Sequence, residues 1–274
     1  MLYTDEMNKL QVGLAQINST EDVDNNLETC QRFVTEAKTK NVEFLLFPEV
    51  FNFRKTGKWS ALKPESLDGR SISTLKAWAK EAKLHILAGS ICESIPNSKK
   101  VYNTSVLINP AGEINAVYRK IHLFDINHDE AKIQESKWYE AGKDPVVASI
   151  GDKQLGMSIC YDLRFPELYR NYAKKGVEMI SIPSSFTKPT GEAHWEVLCR
   201  ARAIENQAYV LAPNQVGKGA AGVETYGNSL IIDPWGCILA QGGGNTQELL
   251  VSTLDFEKLE AIRNKLPSLR HRQL

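Results

Sequence analysis

The sequence is poor in histidine and cysteine, carries no excess of either charge, and has no apolar run long enough to cross a bilayer. Each scarcity excludes something. Lys+Arg and Asp+Glu both number 33, so no global field draws the chain to nucleic acid, an anionic membrane or a polyacidic partner. A small molecule is the expected ligand. The five cysteines (Cys30, Cys92, Cys160, Cys199, Cys237) are odd in number, widely spaced and free of any C-x-x-C pair. That predicts neither a disulfide framework nor a metal site, and it points to a reducing cytoplasm. Residues 1–9 carry Asp5 and Glu6 where an apolar stretch would be needed, so no signal peptide or anchor is expected there. No Pro/Ser-rich or low-complexity stretch divides the 274 residues, 42% of them hydrophobic, and one domain over 1–274 with a sizeable core is expected.

What is present is an alternation of short apolar runs with longer amphipathic ones, the pattern of an α/β fold. Strands are expected at 10–16, 43–47 and 85–91. A helix is expected over 22–38, where Val23, Leu27, Cys30, Val34 and Ala37 share one face, and another runs from Ile72 through Leu75, Ala79 and Ala82. Residues 104–109 and 114–118 read as a hairpin turned by Pro110-Ala111-Gly112-Glu113. The second half repeats the plan, with strands at 154–159, 178–182, 209–212, 228–232, 237–240 and 249–254. Its helices are expected at 166–175, 192–206 and 255–266.

Three polar side chains stand directly after apolar strand runs. Cys160 follows Leu155-Gly156-Met157-Ser158-Ile159 and precedes Pro166, which suits the first turn of a helix. A strand-to-helix turn holds a side chain up at the carboxyl edge of a sheet, where open α/β folds place ligands. Glu49 ends the run Phe44-Leu45-Leu46-Phe47-Pro48, and burial there would suit it to take a proton from a thiol. Lys120 follows the strand at 114–118 and could stabilise an oxyanion. Each has a bland alternative: a buried core thiol, a loop glutamate, a solvated lysine.

A cysteine nucleophile needs a base or a positive neighbour, and histidine is the usual base. Of His85, His122, His128, His194 and His271, only His122 and His194 are reasonable partners, and neither context demands a Cys–His pair. A Cys–His hydrolase and a non-catalytic metabolite-binding scaffold remain as alternatives to the carboxylate route.

Phe47-Pro48-Glu49, Tyr118-Arg119-Lys120-Ile121-His122-Leu123-Phe124 and Ile159-Cys160-Tyr161-Asp162-Leu163-Arg164-Phe165-Pro166-Glu167 resemble, in order, the three signature segments of the nitrilase superfamily of carbon–nitrogen hydrolases. The resemblance implies a four-layer αββα sandwich and a Glu–Lys–Cys triad without metal or organic cofactor. Glu49 would be general base and acid, Lys120 the oxyanion stabiliser with the Tyr161 backbone N–H, and Cys160 the nucleophile. A second glutamate corresponds to Glu135 in Gln134-Glu135-Ser136. The stretch 126–132 departs from the glycine-containing loop common in related amidases, which leaves Glu130 as the alternative.

The run Thr190-Gly191-Glu192-Ala193-His194-Trp195-Glu196 is similar to the branch of deaminated glutathione amidases and omega-amidases. It implies cleavage of a small carboxylate-bearing amide, a deaminated glutathione or an alpha-keto acid omega-amide, with release of ammonia. An N-carbamoyl amide or a nitrile is the alternative substrate. Arg164, Ser184, Ser185 and Thr190 are the candidate carboxylate-binding residues, and Asp162, Arg164 and Glu167 are expected to brace the turn through ion pairs. Family resemblance also implies a two-fold dimer through the helices at 166–175 and 192–206. The glycine-rich stretch 217–227 could cover the site.

Overall fold

The computed structural model of the chain describes residues 8–55, 62–128, 131–219 and 222–273. Side-chain alternation decides its layers. In β2 (Phe44–Leu46), Phe44 and Leu46 point to one face and Leu45 to the other, and all three are buried, so both faces of the strand are covered. Phe44 and Leu46 join Val12 and Leu14 of β1 (Lys9–Gln16) in a core shared with Leu155, Met157, Met179 and Leu211 of a second sheet. Leu45 packs the other way, under α1 (Val23–Thr39) and α2 (Arg70–Ala82), beside Leu27, Cys30, Val34, Leu75 and Ala79. The expected helical face of α1 is the buried one, capped at its start by the Asp22 carboxylate accepting from Asn25 N.

The first sheet runs β15-β1-β2-β3-β5-β4, with β6 paired to β5. Here β3 is His85–Leu87, β4 Ile91–Ser94, β5 Val101–Ile108, β6 Ile114–Arg119 and β15 Glu248–Asp255. The single strand expected at 85–91 is two strands, which lie along one edge of β5 while β6 takes the other. The break has a cause. At Gly89, φ is +21° and a Cβ would stand 1.9 Å from the Pro48 carbonyl oxygen, so only glycine lets the chain leaving β2 pass that close. That passage delivers Glu49.

The second sheet runs β14-β13-β12-β11-β10-β9. Its strands are β9 (Val147–Ile150), β10 (Lys153–Met157), β11 (Met179–Ser181), β12 (Tyr209–Ala212), β13 (Leu230–Ile232) and β14 (Ile238–Gln241). Its outer face packs Ile180 and Val210 against Tyr169 and Tyr172 of α3 (Pro166–Lys174) and Trp195 and Cys199 of α4 (Lys188–Asn206). The layers are therefore helices, sheet, sheet, helices, the expected αββα sandwich. A last helix, α5 (Phe256–Lys265), sends Phe256 and Leu259 into the core between the sheets.

Two further differences bear on the site. α4 begins at Lys188, not at residue 192, because Pro189 occupies its first turn and starts the helix. And residues read from sequence as a loop form a hairpin of β7 (Asp125–His128) with β8 (Ala131–Gln134). Among the described residues no helix is long and apolar enough to cross a membrane.

Candidate active site

Glu49 leaves β2 on a pinned backbone. Its carbonyl accepts from Gln215 Nε2 at 2.9 Å, and the next N–H, of Val50, donates to Ser90 Oγ at 2.9 Å. The side chain is only 4% exposed. One carboxylate oxygen, Oε1, accepts from Asn103 Nδ2 at 2.8 Å and from Lys120 Nζ at 3.0 Å, and Oε2 accepts from Ser185 N at 2.9 Å. Buried carboxylates are stable when their lone pairs are engaged in this way.

Lys120 comes from the end of β6 and is tied to β5 by its own N–H, which donates to Asn103 O at 2.8 Å. Its ammonium also donates to both oxygens of Glu135, at 3.1 and 3.0 Å. The β7–β8 hairpin carries Glu135 there: Glu135 N donates to Phe124 O at 3.2 Å, and Phe124 N returns a bond to Glu135 Oε2 at 2.8 Å. The departure at 126–132 thus leaves the expected glutamate in place. Glu130 lies outside the described residues.

Cys160 sits between β10 and a 3₁₀ turn over Cys160–Arg164, with φ at +44°. A non-glycine residue there costs about 1–3 kcal/mol and persists only when its surroundings hold it. Asp162, fully buried, does the holding. Its Oδ2 accepts from Ile159 N (2.9 Å) and the Tyr118 hydroxyl (2.7 Å), and its Oδ1 accepts from His122 N (3.0 Å) and faces His122 Nδ1 (2.7 Å). Cys160 N itself donates to Pro183 O at 3.0 Å.

The charges decide the resting protonation. Burial pushes the Cys160 thiol well above its ordinary value, and the nearby Glu49 carboxylate raises it further against the opposing pull of Lys120. The resting group is a thiol. Burial alone would lower the Lys120 pKa, but the carboxylates of Glu135 and Glu49 outweigh it and hold the ammonium well above the usual lysine value. Burial also raises Glu135, with Lys120 opposing. The arrangement is an ammonium between two carboxylates beside a neutral thiol, which suits proton transfer coupled to attack instead of a pre-formed thiolate.

Glu49, Lys120, Glu135, Cys160, Tyr161, Arg164, Ser185 and Thr190 all line one cavity of about 140 Å³. Of the four residues expected to bind a carboxylate, one leaves that wall. Ser184 lies outside it: its hydroxyl donates to Ile182 O at 3.0 Å where the buried chain bridges to Asn214. Ser185 faces Glu49 through its backbone N–H. Arg164 lies over the rings of Tyr161 and Phe186, at 5.8 and 5.3 Å, with Nη1 3.3 Å from His194 Nδ1. Neither histidine proposed as base lines the cavity; His122 is engaged by Asp162 and stacks on Phe165 at 3.7 Å. Glu167 is exposed and Arg164 lies over two rings, so of the three residues expected to brace the turn Asp162 does so. Among the described residues no group of three or more His, Cys, Asp or Glu is placed to hold a metal ion.

Two wall residues went unnoticed in the sequence. Asn103 has a buried Oδ1 without a hydrogen-bond partner while its Nδ2 holds Glu49. The signal was Asn103-Thr104-Ser105, a polar run inside a strand buried at every position except Tyr102. The other is Arg54, buried directly after Phe51-Asn52-Phe53.

The chain is similar to known proteins over nearly its whole length. A family model for carbon-nitrogen hydrolases matches residues 11–264. A deaminated glutathione amidase of Dictyostelium discoideum is 38% identical over 279 residues, covering 98% of this chain and 96% of its own. An omega-amidase of Homo sapiens is 35% identical over 269 residues, with 97% and 96% covered. The crystal structure of a branch 10 member of the nitrilase superfamily from Saccharomyces cerevisiae superposes with a TM-score of 0.85 at 30% identity, covering 97% of each chain.

Proposed function

Since the chain belongs to the carbon–nitrogen hydrolase family, we propose that it is an amidase that opens a small carboxylate-bearing amide through a thioester on Cys160. One observation carries the mechanism: Lys120 Nζ stands 3.0 Å from both Glu49 and Glu135, and all three share a cavity wall with a neutral thiol. Glu49 accepts the thiol proton as Sγ attacks the amide carbon. The carbonyl electron pair moves onto oxygen, where Lys120 and the Tyr161 N–H receive it; Tyr161 stands in the first turn of the 3₁₀ segment, where a backbone N–H has no intrahelical acceptor. Protonated Glu49 hands its proton to the departing nitrogen as the C–N bond breaks. It then takes a proton from water, whose oxygen attacks the thioester carbon, and as the C–S bond breaks Glu49 returns that proton to sulfur, which restores the thiol and frees the acid. Asn103 Nδ2 and Ser185 N–H fix the carboxylate rotamer throughout, and Glu135 holds Lys120.

The leaving group follows from the amide. A primary omega-amide releases ammonia, whereas a deaminated glutathione carries a substituted amide nitrogen and releases an amine, so the ammonia expected from sequence applies to the first alone. We expect both to outpace aliphatic and aromatic nitriles, with deaminated glutathione slightly ahead of alpha-ketoglutaramate. Steady-state product release, measured side by side on wild type and Cys160→Ala, tests this. Equal or faster nitrile turnover would sink the amidase reading, and full activity of Cys160→Ala would sink the thioester.

The chain is proposed to act as one domain over 1–274 in a reducing cytoplasm, which suits its five free cysteines. It is also proposed to pair across α4. Val197 is 68% exposed and Ile204, seven residues on, lies on the same face, close to Gly236, which follows exposed Trp235.

A further inference from the structure

Arg54 is buried to 4% exposure, yet among the described residues every hydrogen bond it makes goes to a neutral oxygen. Its Nε donates to Ser19 O at 2.9 Å, Nη1 to Thr225 Oγ1 at 3.0 Å, and Nη2 to Asn18 Oδ1 at 2.5 Å and Val216 O at 2.7 Å. A guanidinium has five N–H groups, so one, on Nη1, is left over. Among the described residues no carboxylate pairs with it. Burial lowers its pKa to about 10, which still leaves it cationic at neutral pH. Burying a charge without a counter-ion is costly, and this one lines the cavity that holds Cys160.

Charge is distributed unevenly along that cavity. Beside Cys160 two carboxylates face the ammonium of Lys120, and the other cations of the wall are Lys55, Arg164, which lies over the rings of Tyr161 and Phe186, and Arg54. An anionic substrate group is therefore disfavoured beside Cys160. Arg54, by contrast, bonds to Thr225 and neighbours Gly219, and among the described residues no carboxylate bonds to it. We infer that Arg54 is the specificity-determining counter-ion of the substrate carboxylate, so that the preferred substrate is an amide whose far end is an anion. This rests on the amidase reading above, and it assigns the carboxylate to a residue different from those expected from sequence.

A structural role is the competing explanation, because Arg54 also ties residues 18–19 to 216–225. Gly219 separates the two. A Cβ there would lie 3.7 Å from Arg54 Cδ and 3.9 Å from Nη1, without clash, so Gly219→Asp can supply an internal carboxylate while removing none of the ties. Wild type, Arg54→Gln, Gly219→Asp and the neutral control Gly219→Asn are assayed for kcat/KM on succinamate and glutaramate and on their methyl esters. Glutarate protection of Cys160 against iodoacetamide is measured in parallel, since it needs no turnover. The expected result is an anion-over-ester preference that falls on the order of 100-fold in Arg54→Gln and at least tenfold, through KM, in Gly219→Asp relative to the isosteric Gly219→Asn. Glutarate protection should weaken in the same order. A purely structural Arg54 would slow anion and ester alike and leave Gly219→Asp unaffected; that outcome overturns the inference. If Arg54→Gln does not fold, Gly219→Asp decides alone. Absence of all amide turnover with intact, Asp-sensitive glutarate protection would refute the amidase reading and keep the anion site.

Discussion

Asp162→Asn removes the brace under Cys160 with almost no change of shape. In the native turn two oxygens face four donors, two of them the backbone N–H groups of Ile159 and His122. An asparagine presents one oxygen and one NH₂. The Tyr118 hydroxyl can rotate to accept and His122 can change tautomer, but whichever way the amide turns, one buried backbone N–H meets another donor. That costs about 1–3 kcal/mol, and loss of charge from the surviving bonds adds about 1 kcal/mol each. We expect about 3–5 kcal/mol lost in urea unfolding, a large part of a typical domain's stability of roughly 5–15 kcal/mol. Because the left-handed Cys160 costs about 1–3 kcal/mol to hold, the turn should relax and kcat fall at least tenfold in the fraction that stays folded. A variant within about 1 kcal/mol of wild type, or one with unchanged kcat, would refute the bracing role.

Other outcomes follow from the same geometry. Glu135→Gln should lower kcat without abolishing it, since Lys120 keeps Glu49, while Glu49→Gln should be nearly as damaging as Cys160→Ala; steady-state assays rank them, and an inert Glu135→Gln would count against its role. Burial raises the Cys92 thiol from 9.0 to about 11, so the folded state holds that proton more tightly than the unfolded chain. Stability from this group is unchanged below pH 9 and is lost at about 1.4 kcal/mol per pH unit from there to about 11, a slope that Cys92→Ala should reduce in urea titrations at stepped pH. Val197→Glu should shift the sedimentation profile to the monomer if α4 forms the dimer contact, and an unchanged profile would remove that face from consideration.

Much of the fold was legible because alternation and helical spacing are local properties, and Glu49, Lys120 and Cys160 stood out as polar side chains placed directly after apolar runs. What escaped is held by distant partners. Arg54 bonds to residues 35 to 171 positions away, and nothing around it in sequence announces that. The β7–β8 hairpin has neither apolar alternation nor a turn glycine; it is closed by Glu135 on Phe124 and by Ser136 N on Asp125 Oδ1 at 3.0 Å. His122 looked like a base by residue type, and only its engagement by Asp162 removes it. Thr190 stood before the helix expected to start at 192, but Pro189 in the first turn of α4 places it inside.

The thioester is tested most directly by mass spectrometry of enzyme quenched in acid during turnover of glutaramate. Wild type should gain the mass of the substrate less ammonia, the adduct should map to the peptide containing Cys160 and be released by hydroxylamine, and Cys160→Ala should show none. Turnover without an adduct on Cys160, or an adduct on Ser185 or another residue, would contradict the account.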